Sequence, residues 1–370
     1  MTSCWKVSWQ NLFAAFAVTL CLFNIQHMHN MLLFKFETDQ GREMLVGVGV
    51  ENEVLSDQLT GIEGLLRKVF AMPLDKYHKS LIDVLTHAQE DGALLDDRIR
   101  HHVMSLLKAE TNRLLRLKDP CKVFSKDAHN KIFVWLRFSK IGGTTFNTYL
   151  EKFTISLGLG AVGCDVSGKD FETCGHLEGK SHDELVKINL LYGHQAFGNH
   201  RLFPDKEPVY IVISRDVSDQ VNSFYNYQRK QGNHTPISLM DSIGRGIPHP
   251  NELTRYTCGP SFGMPLSGNI CSNGDDLTLA VAKLNLARVD FIPGWFVDHF
   301  EDTKNVLVHS LWEGFNSMEA DKKVMPAGIE YKSSRLTTYE RQVVENIFHL
   351  DVELNIFIMA HFKRIQKCFV

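Results

Sequence analysis

The hydrophobic pattern changes character three times along the chain. Trp9 to Ile25 (WQNLFAAFAVTLCLFNI) is mostly apolar and uncharged, with Lys6 just before it. About 20 apolar residues span a typical bilayer, and fewer suffice in a thin early-secretory membrane. No small-x-small cleavage site follows, since the next residues are Gln26, His27, Met28 and His29. The pattern therefore favours a retained signal anchor over a cleaved signal peptide. This reading places residues 1–8 in the cytoplasm, 9–25 across the membrane and the remainder in a lumen.

From about residue 50 the period becomes helical. Leu55, Leu59, Ile62, Leu66 and Val69 alternate steps of four and three until Pro73 intervenes. Leu95, Ile99, Val103, Leu106, Glu110, Leu114 and Leu117 repeat the spacing with one polar member. A coiled-coil seam and simple amphipathic packing account for two such short runs equally well. Residues 26–118 thus read as a partly helical stem, and self-association of two copies through it is an expectation of the first alternative.

Beyond Pro120 the pattern is α/β. Lys131 to Phe138 (KIFVWLRF) forms a continuous apolar strand, and Val209 to Ser214 (VYIVIS), opened by Pro208, forms another. Helices are predicted over Thr144 to Leu157 and Val217 to Arg229. Unbroken apolar strands that each feed a helix imply a central parallel sheet flanked by helices. Asn233 to Asn273 is rich in Gly, Pro, Ser and Asn and reads as irregular, and a last helix is predicted from Thr338 to Lys367. Residues 119–370 make up this domain.

Charge and cysteine content refine the picture. A net charge of −3 provides no global positive field to recruit nucleic acid, so a polyanionic partner would need a local basic groove. Six cysteines follow the apolar N-terminal run: Cys121, Cys164, Cys174, Cys258, Cys271 and Cys368. None forms CxxC, and none pairs with histidine at zinc spacing. In a lumen an even set of this kind reads as three disulfides. Short loops favour Cys164 with Cys174 and Cys258 with Cys271, leaving Cys121 for Cys368. Asn233-His234-Thr235 is a glycosylation sequon consistent with the same compartment.

Two segments carry phosphate chemistry. After the first strand comes Arg137-Phe138-Ser139-Lys140-Ile141-Gly142-Gly143-Thr144-Thr145. A strand, a glycine turn and a helix start direct backbone N–H groups at an anion. Lys140 adds a point charge, Gly142 and Gly143 allow close approach, and Thr144 and Thr145 add hydroxyl donors. A Walker loop has its lysine after the glycines. Here it precedes them, which argues against a nucleotide-dependent kinase. The second strand ends in Arg215-Asp216, and Ser223 lies eight residues on, two turns into the next helix. Arginine at a strand end and serine on that helix can converge on one phosphate.

KxGGTT followed about 75 residues later by this Arg/Ser pair resembles the Golgi carbohydrate sulfotransferases, in particular the heparan sulfate and uronyl 2-O-sulfotransferases. The resemblance implies a P-loop-like fold that takes 3′-phosphoadenosine-5′-phosphosulfate (PAPS) as co-substrate. Lys140, Gly142, Gly143, Thr144 and Thr145 would hold the 5′-phosphosulfate, and Arg215 and Ser223 the 3′-phosphate. His194, in Tyr192-Gly193-His194-Gln195, matches the Gly-His segment of the 2-O enzymes, where histidine is the proposed base. Their pattern often carries a second histidine where this chain has Tyr192. Arg137 sits where those enzymes carry an arginine near the reacting sugar. Asn251 to Gly259 resembles their LT(K/R)Y-x-C-G segment with its cysteine pair, and Lys332, Ser333 and Ser334 align with a late loop over the nucleotide. The GGTTF stretch is closer to the 6-O-sulfotransferases, so regiochemistry stays open.

The implied protein is a single-pass Golgi membrane enzyme with a lumenal catalytic domain. It would sulfate a glycan or proteoglycan hydroxyl with Lys140 and His194 as catalytic residues, and without a metal. The alternative of another class is a lumenal glycan-binding protein that has lost catalysis.

Overall fold

The computed structural model describes residues 43–138, 140–141, 143–164, 174, 177, 179–230, 238–259, 270–295, 298–318 and 335–369, with side chains from Ser56 onward. The predicted tail and anchor, Gly142, the Thr144 side chain, Asn233 and Lys332 to Ser334 lie outside what is described. Among the described residues no helix is long and apolar enough to cross a membrane. The chain divides into two units, 1–61 and 62–370. In the first, helix is described from residue 43. The second contains every element discussed below except the first part of the helix Glu43–Phe70.

Five strands form one parallel sheet: β1 (Lys131–Leu136), β2 (Gly160–Gly163), β3 (Ile188–Tyr192), β4 (Glu207–Ser214) and β5 (Asp290–Trp295), in the order β2-β3-β1-β4-β5. All six residues of β1 are buried, as are the last six of β4. This is the composition that a strand covered on both faces requires. Between β1 and β2 runs α4, Gly143–Ser156, after α1 (Glu43–Phe70), α2 (Leu74–Glu90) and α3 (Asp97–Leu117). Phe146 and Phe153 of α4 meet Trp135 and Phe133 of β1 edge-on, with centroids 4.9 and 5.3 Å apart. The short α5 (His182–Leu185) precedes β3. After β4 come α6 (Val217–Lys230), α7 (Leu239–Gly244), α8 (Glu252–Cys258) and α9 (Asp276–Arg288), and after β5 come α10 (Phe300–Ser310), α11 (Thr338–Ile347) and α12 (His349–Gln366).

The second unit begins at Ile62, so α2 and α3, within the span expected as stem, belong to it. α3 lies along α9, and Arg100 reaches Asp275 at 2.6 Å. Its buried stripe is Ile99, Val103, Leu107, Glu110 and Thr111, whereas Leu95 and Leu117 are 82% and 72% exposed. The apolar spacing marks a face turned to the domain. Glu110, the polar member of the seam, is held by two 2.7 Å bonds from Arg113.

Two other expectations shift. The final helix is interrupted at Phe348, whose ψ of 27° separates α11 from α12. The region expected to be irregular contains α7 and α8, the latter entered from Asn251 in the left-handed conformation. The disulfides are Cys121–Cys368, Cys164–Cys174 and Cys258–Cys271. The first ties the segment after α3 to the end of α12.

Candidate functional site

In an open parallel sheet, ligands bind beyond the carboxyl ends of the strands, where the strand order reverses. Here the chain leaves β1 toward β2, returns to β3, and then crosses to β4, so the reversal flanks β1. The predicted residues fall there. Lys140 lies four residues past the end of β1, His194 two past β3, and Arg215 one past β4. β1 and β3 are paired neighbours, so the loops that carry Arg137 and His194 leave adjacent strands at the same end of the sheet.

Lys140 is one of three non-glycine residues with positive φ, at 63°, among the described residues. A left-handed lysine is strained by about 1–2 kcal/mol, and such strain gathers at functional turns. Arg215 Nη1 donates to the Lys140 carbonyl at 3.2 Å. Two motifs far apart in sequence are thereby fixed to one another. The Arg137 side chain folds across the start of α4, where a Cβ on Gly143 would collide with Arg137 Nε. A larger residue at 143 would have to displace that side chain, which lies against the helix N-terminus. The Lys140 ammonium sits 4.1 Å from the centre of the Tyr227 ring.

Burial, first, and then the positive charges of Arg215 and Arg137 push the Lys140 pKa below its ordinary value. Among the described residues, the charges acting on this lysine are both positive. Three cations gathered at a helix N-terminus form a concentrated positive field, and an anion would relieve their repulsion.

Asp216, next to Arg215, is engaged by Arg341. Its carboxylate accepts two bonds from Arg341 Nη1, at 3.0 and 3.1 Å, and caps α6 through the Asp219 N–H at 3.0 Å. Arg341 Nη2 also bonds Asp219 at 3.0 Å. From α12, Asn355 Nδ2 donates to the Arg215 carbonyl at 2.9 Å, and its Oδ1 accepts from Ser214 Oγ. The turn carrying Arg215 is therefore gripped from both C-terminal helices. Ser223 is half-buried two turns along α6, and Thr145 is half-buried in the first turn of α4. Beside this turn is a cavity of about 350 Å³, walled by Asp216, Trp295, Glu345, Asn355, Met359 and Lys363. Neither Lys140 nor Ile141 is among the described residues that line it.

His194 is half-buried in a loop that begins at Gly193, φ 113°. The next residue, Gln195, is fully buried. Its Nε2 donates to the carbonyls of Trp135 on β1 (3.0 Å) and Leu191 on β3 (3.1 Å), and its Oε1 accepts from Asn199 at 3.2 Å. The Cys164 and Cys174 sulfurs lie 3.6 and 3.5 Å from that oxygen. The loop is thus seated on the sheet and on a disulfide. Tyr192 lies over Gly163 of β2, where a Cβ would stand 3.3 Å from its ring.

Sequence reasoning missed Gln195, Asn355, Arg341 and Tyr227. Tyr227 had a signal, being one helical turn beyond Ser223 on the same face. Asn355 and Arg341 had none, because their partners are more than 120 residues away. Among the described residues no group of three or more His, Cys, Asp or Glu is placed to hold a metal ion.

No family model matches the chain, and no curated protein matches it. Fold and site define the class: an α/β protein with Lys140, Arg137 and Arg215 gathered on loops at the switch point of a parallel sheet.

Proposed function

We propose that the protein is a PAPS-dependent sulfotransferase of the P-loop-like kind, acting on a glycan hydroxyl in the Golgi lumen. One observation carries this reading: Arg215 Nη1 meets the Lys140 carbonyl at 3.2 Å, so the two expected phosphate motifs form one cationic site. Lys140, Arg137 and Arg215 supply charge, the start of α4 supplies N–H donors, and Thr145 and Ser223 lie on the helices that border the loop. These groups suit a nucleotide with phosphates at two positions.

In the proposed reaction the sulfur–oxygen bond to the acceptor forms as the bond to the 5′-phosphate oxygen breaks. The acceptor proton passes to His194, and the developing charge on the leaving phosphate is stabilised by Lys140. Positioning and electrostatics supply most of the rate in transfers of this type. A half-buried histidine on the loop that leaves β3, the neighbour of β1, suits the acceptor side. Glycosaminoglycan acceptors fit a basic rim, with 2-O- and 6-O-transfer both open.

Calorimetric titration of the full chain with 3′,5′-adenosine diphosphate (PAP), beside Arg215→Ala, tests the reading. Micromolar binding that the variant loses supports it. No binding by folded, disulfide-intact protein would overturn it and favour a glycan-binding protein without catalysis.

A further inference from the structure

We infer that Tyr227 is a positioning residue for Lys140, its ring holding the lysine head at the mouth of the anion loop. This deepens the proposed function and rests on the reading of that loop as an anion site. Lys140 follows the strand in a left-handed turn, φ 63°. Two arginines lie close enough to repel it. Left to that field, the ammonium would swing outward to water. The Tyr227 ring faces it at 4.1 Å from the centroid, within the range where an aromatic face attracts a cation.

Tyr227 is 38% exposed, so its ring does not serve the hydrophobic core. It stands one turn beyond Ser223 on α6, whose first turn is fixed by Arg341 and Asp216. The ring is therefore carried by the same rigid helix that follows Arg215. Aligned in this way, the lysine is pre-placed beside the Arg215 fork by a ring, where a carboxylate would compete with an incoming anion. An aromatic ring suits this task where an acid would not. It attracts the ammonium weakly enough to yield it to a phosphate.

The test is a cycle of four full-length proteins, wild type, Tyr227→Leu, Lys140→Ala and the double variant, with Tyr227→Phe as the conservative control. PAP affinity is read by calorimetry. Tyr227→Leu is expected to weaken PAP about fivefold, Tyr227→Phe less than twofold, and Tyr227→Leu is expected to have no further effect in the Lys140→Ala background. Equal losses in both backgrounds, or none in either, would overturn the inference. A ligand-free measurement separates it from the sulfotransferase reading. With lysines carrying ¹³C-dimethyl labels, the Lys140 resonance is assigned by its disappearance in Lys140→Arg. Its titration should move to lower pH in Tyr227→Leu and stay in place in Tyr227→Phe. That shift would sustain the role of Tyr227 even if PAP failed to bind, and its absence would overturn the role even if PAP bound.

Discussion

The Arg215 guanidinium donates through Nη1 to the backbone carbonyl of Lys140 at 3.2 Å, joining residues 75 positions apart. The same arginine is held from behind, where Asn355 bonds its carbonyl. One side chain therefore fixes the Lys140 loop to the turn that follows β4.

Arg215→Lys separates charge from geometry. Lysine keeps the charge but is a point donor, unable to bridge a carbonyl and a phosphate together. A lost charge-assisted bond of about 1.5–3 kcal/mol corresponds to a PAP affinity lower by roughly 10- to 100-fold. Calorimetry reads this directly, and an unchanged affinity would show that the fork is not used.

Acid should loosen the layer formed by α2. His78 is buried with Nε2 2.9 Å from the Cys258 carbonyl and its ring 5.2 Å from Phe197. His200 bonds the Tyr210 hydroxyl at 2.7 Å. Burial lowers these histidines to about 4 and about 3, assisted by the nearby Arg201 and, for His200, by His78. Folded pKa values below the unfolded one near 6.5 mean that the unfolded chain binds protons first. Their contribution is complete above pH 6.5 and is lost as pH falls toward 4. The loss approaches about 1.4 kcal/mol per pH unit for each histidine. Asp351 opposes this. Burial raises it to about 6, against its bonds from Thr254 and Leu253, so the folded state gains a proton first and stability rises as pH falls from 6 to 4. Two histidines outweigh one aspartate. Thermal melts from pH 7 to 4.5 should show a falling midpoint, and the slope should be shallower in His78→Gln. A slope unchanged by that substitution would rule His78 out as the source.

How much of this was legible in the sequence depends on where the partners lie. β1 and β4 were readable because strands buried on both faces are unbroken apolar runs. β2 is four residues with two glycines, and β5 contains Pro293, a residue that normally argues against a strand. Pro293 is tolerated because β5 is the edge of the sheet, with β4 on one side only. The helices before residue 119 make a related point. A 3.5-residue apolar spacing reports that a helix face is buried, not whether a second copy or its own domain buries it, and Ile99, Val103 and Leu107 meet the domain. In the site, Lys140 and Arg215 announce themselves through local motifs. The groups that hold them, Asn355, Arg341 and Gln195, are ordinary polar residues in sequence and acquire meaning only from contacts across the fold.

The three disulfides should differ in weight. Cys121–Cys368 spans 247 residues, against 10 for Cys164–Cys174 and 13 for Cys258–Cys271. On the chain-entropy account the long link contributes up to about 5 kcal/mol, and each short one about 3 kcal/mol. Denaturant unfolding of Cys121→Ser/Cys368→Ser should show the larger loss. Cys164→Ser/Cys174→Ser should lose less stability but disturb the His194 loop, whose Gln195 lies against that disulfide. A smaller loss from the long link would show that the unfolded chain keeps those two ends close without it.

Gln195 offers the sharpest separation of the two halves of the site. It touches neither Lys140 nor Arg215 among the described contacts, yet it pins the residue after His194 to β1, β3 and Asn199. In Gln195→Leu the Trp135 and Leu191 carbonyls lose this donor in a dry interior, at a cost of about 1–3 kcal/mol. The midpoint of thermal unfolding should drop by several degrees at most, roughly 2–4 °C per kcal/mol for a domain of 150–250 residues and less for a larger one. The folded variant should bind PAP as the wild type does, because the nucleotide side is anchored from α6, α11 and α12. Sulfuryl transfer should nonetheless fall by about tenfold or more, since an imidazole displaced by an ångström is a poor base. Transfer at the wild-type rate would show that His194 needs no such seat. A parallel loss of PAP affinity would place Gln195 on the nucleotide side instead.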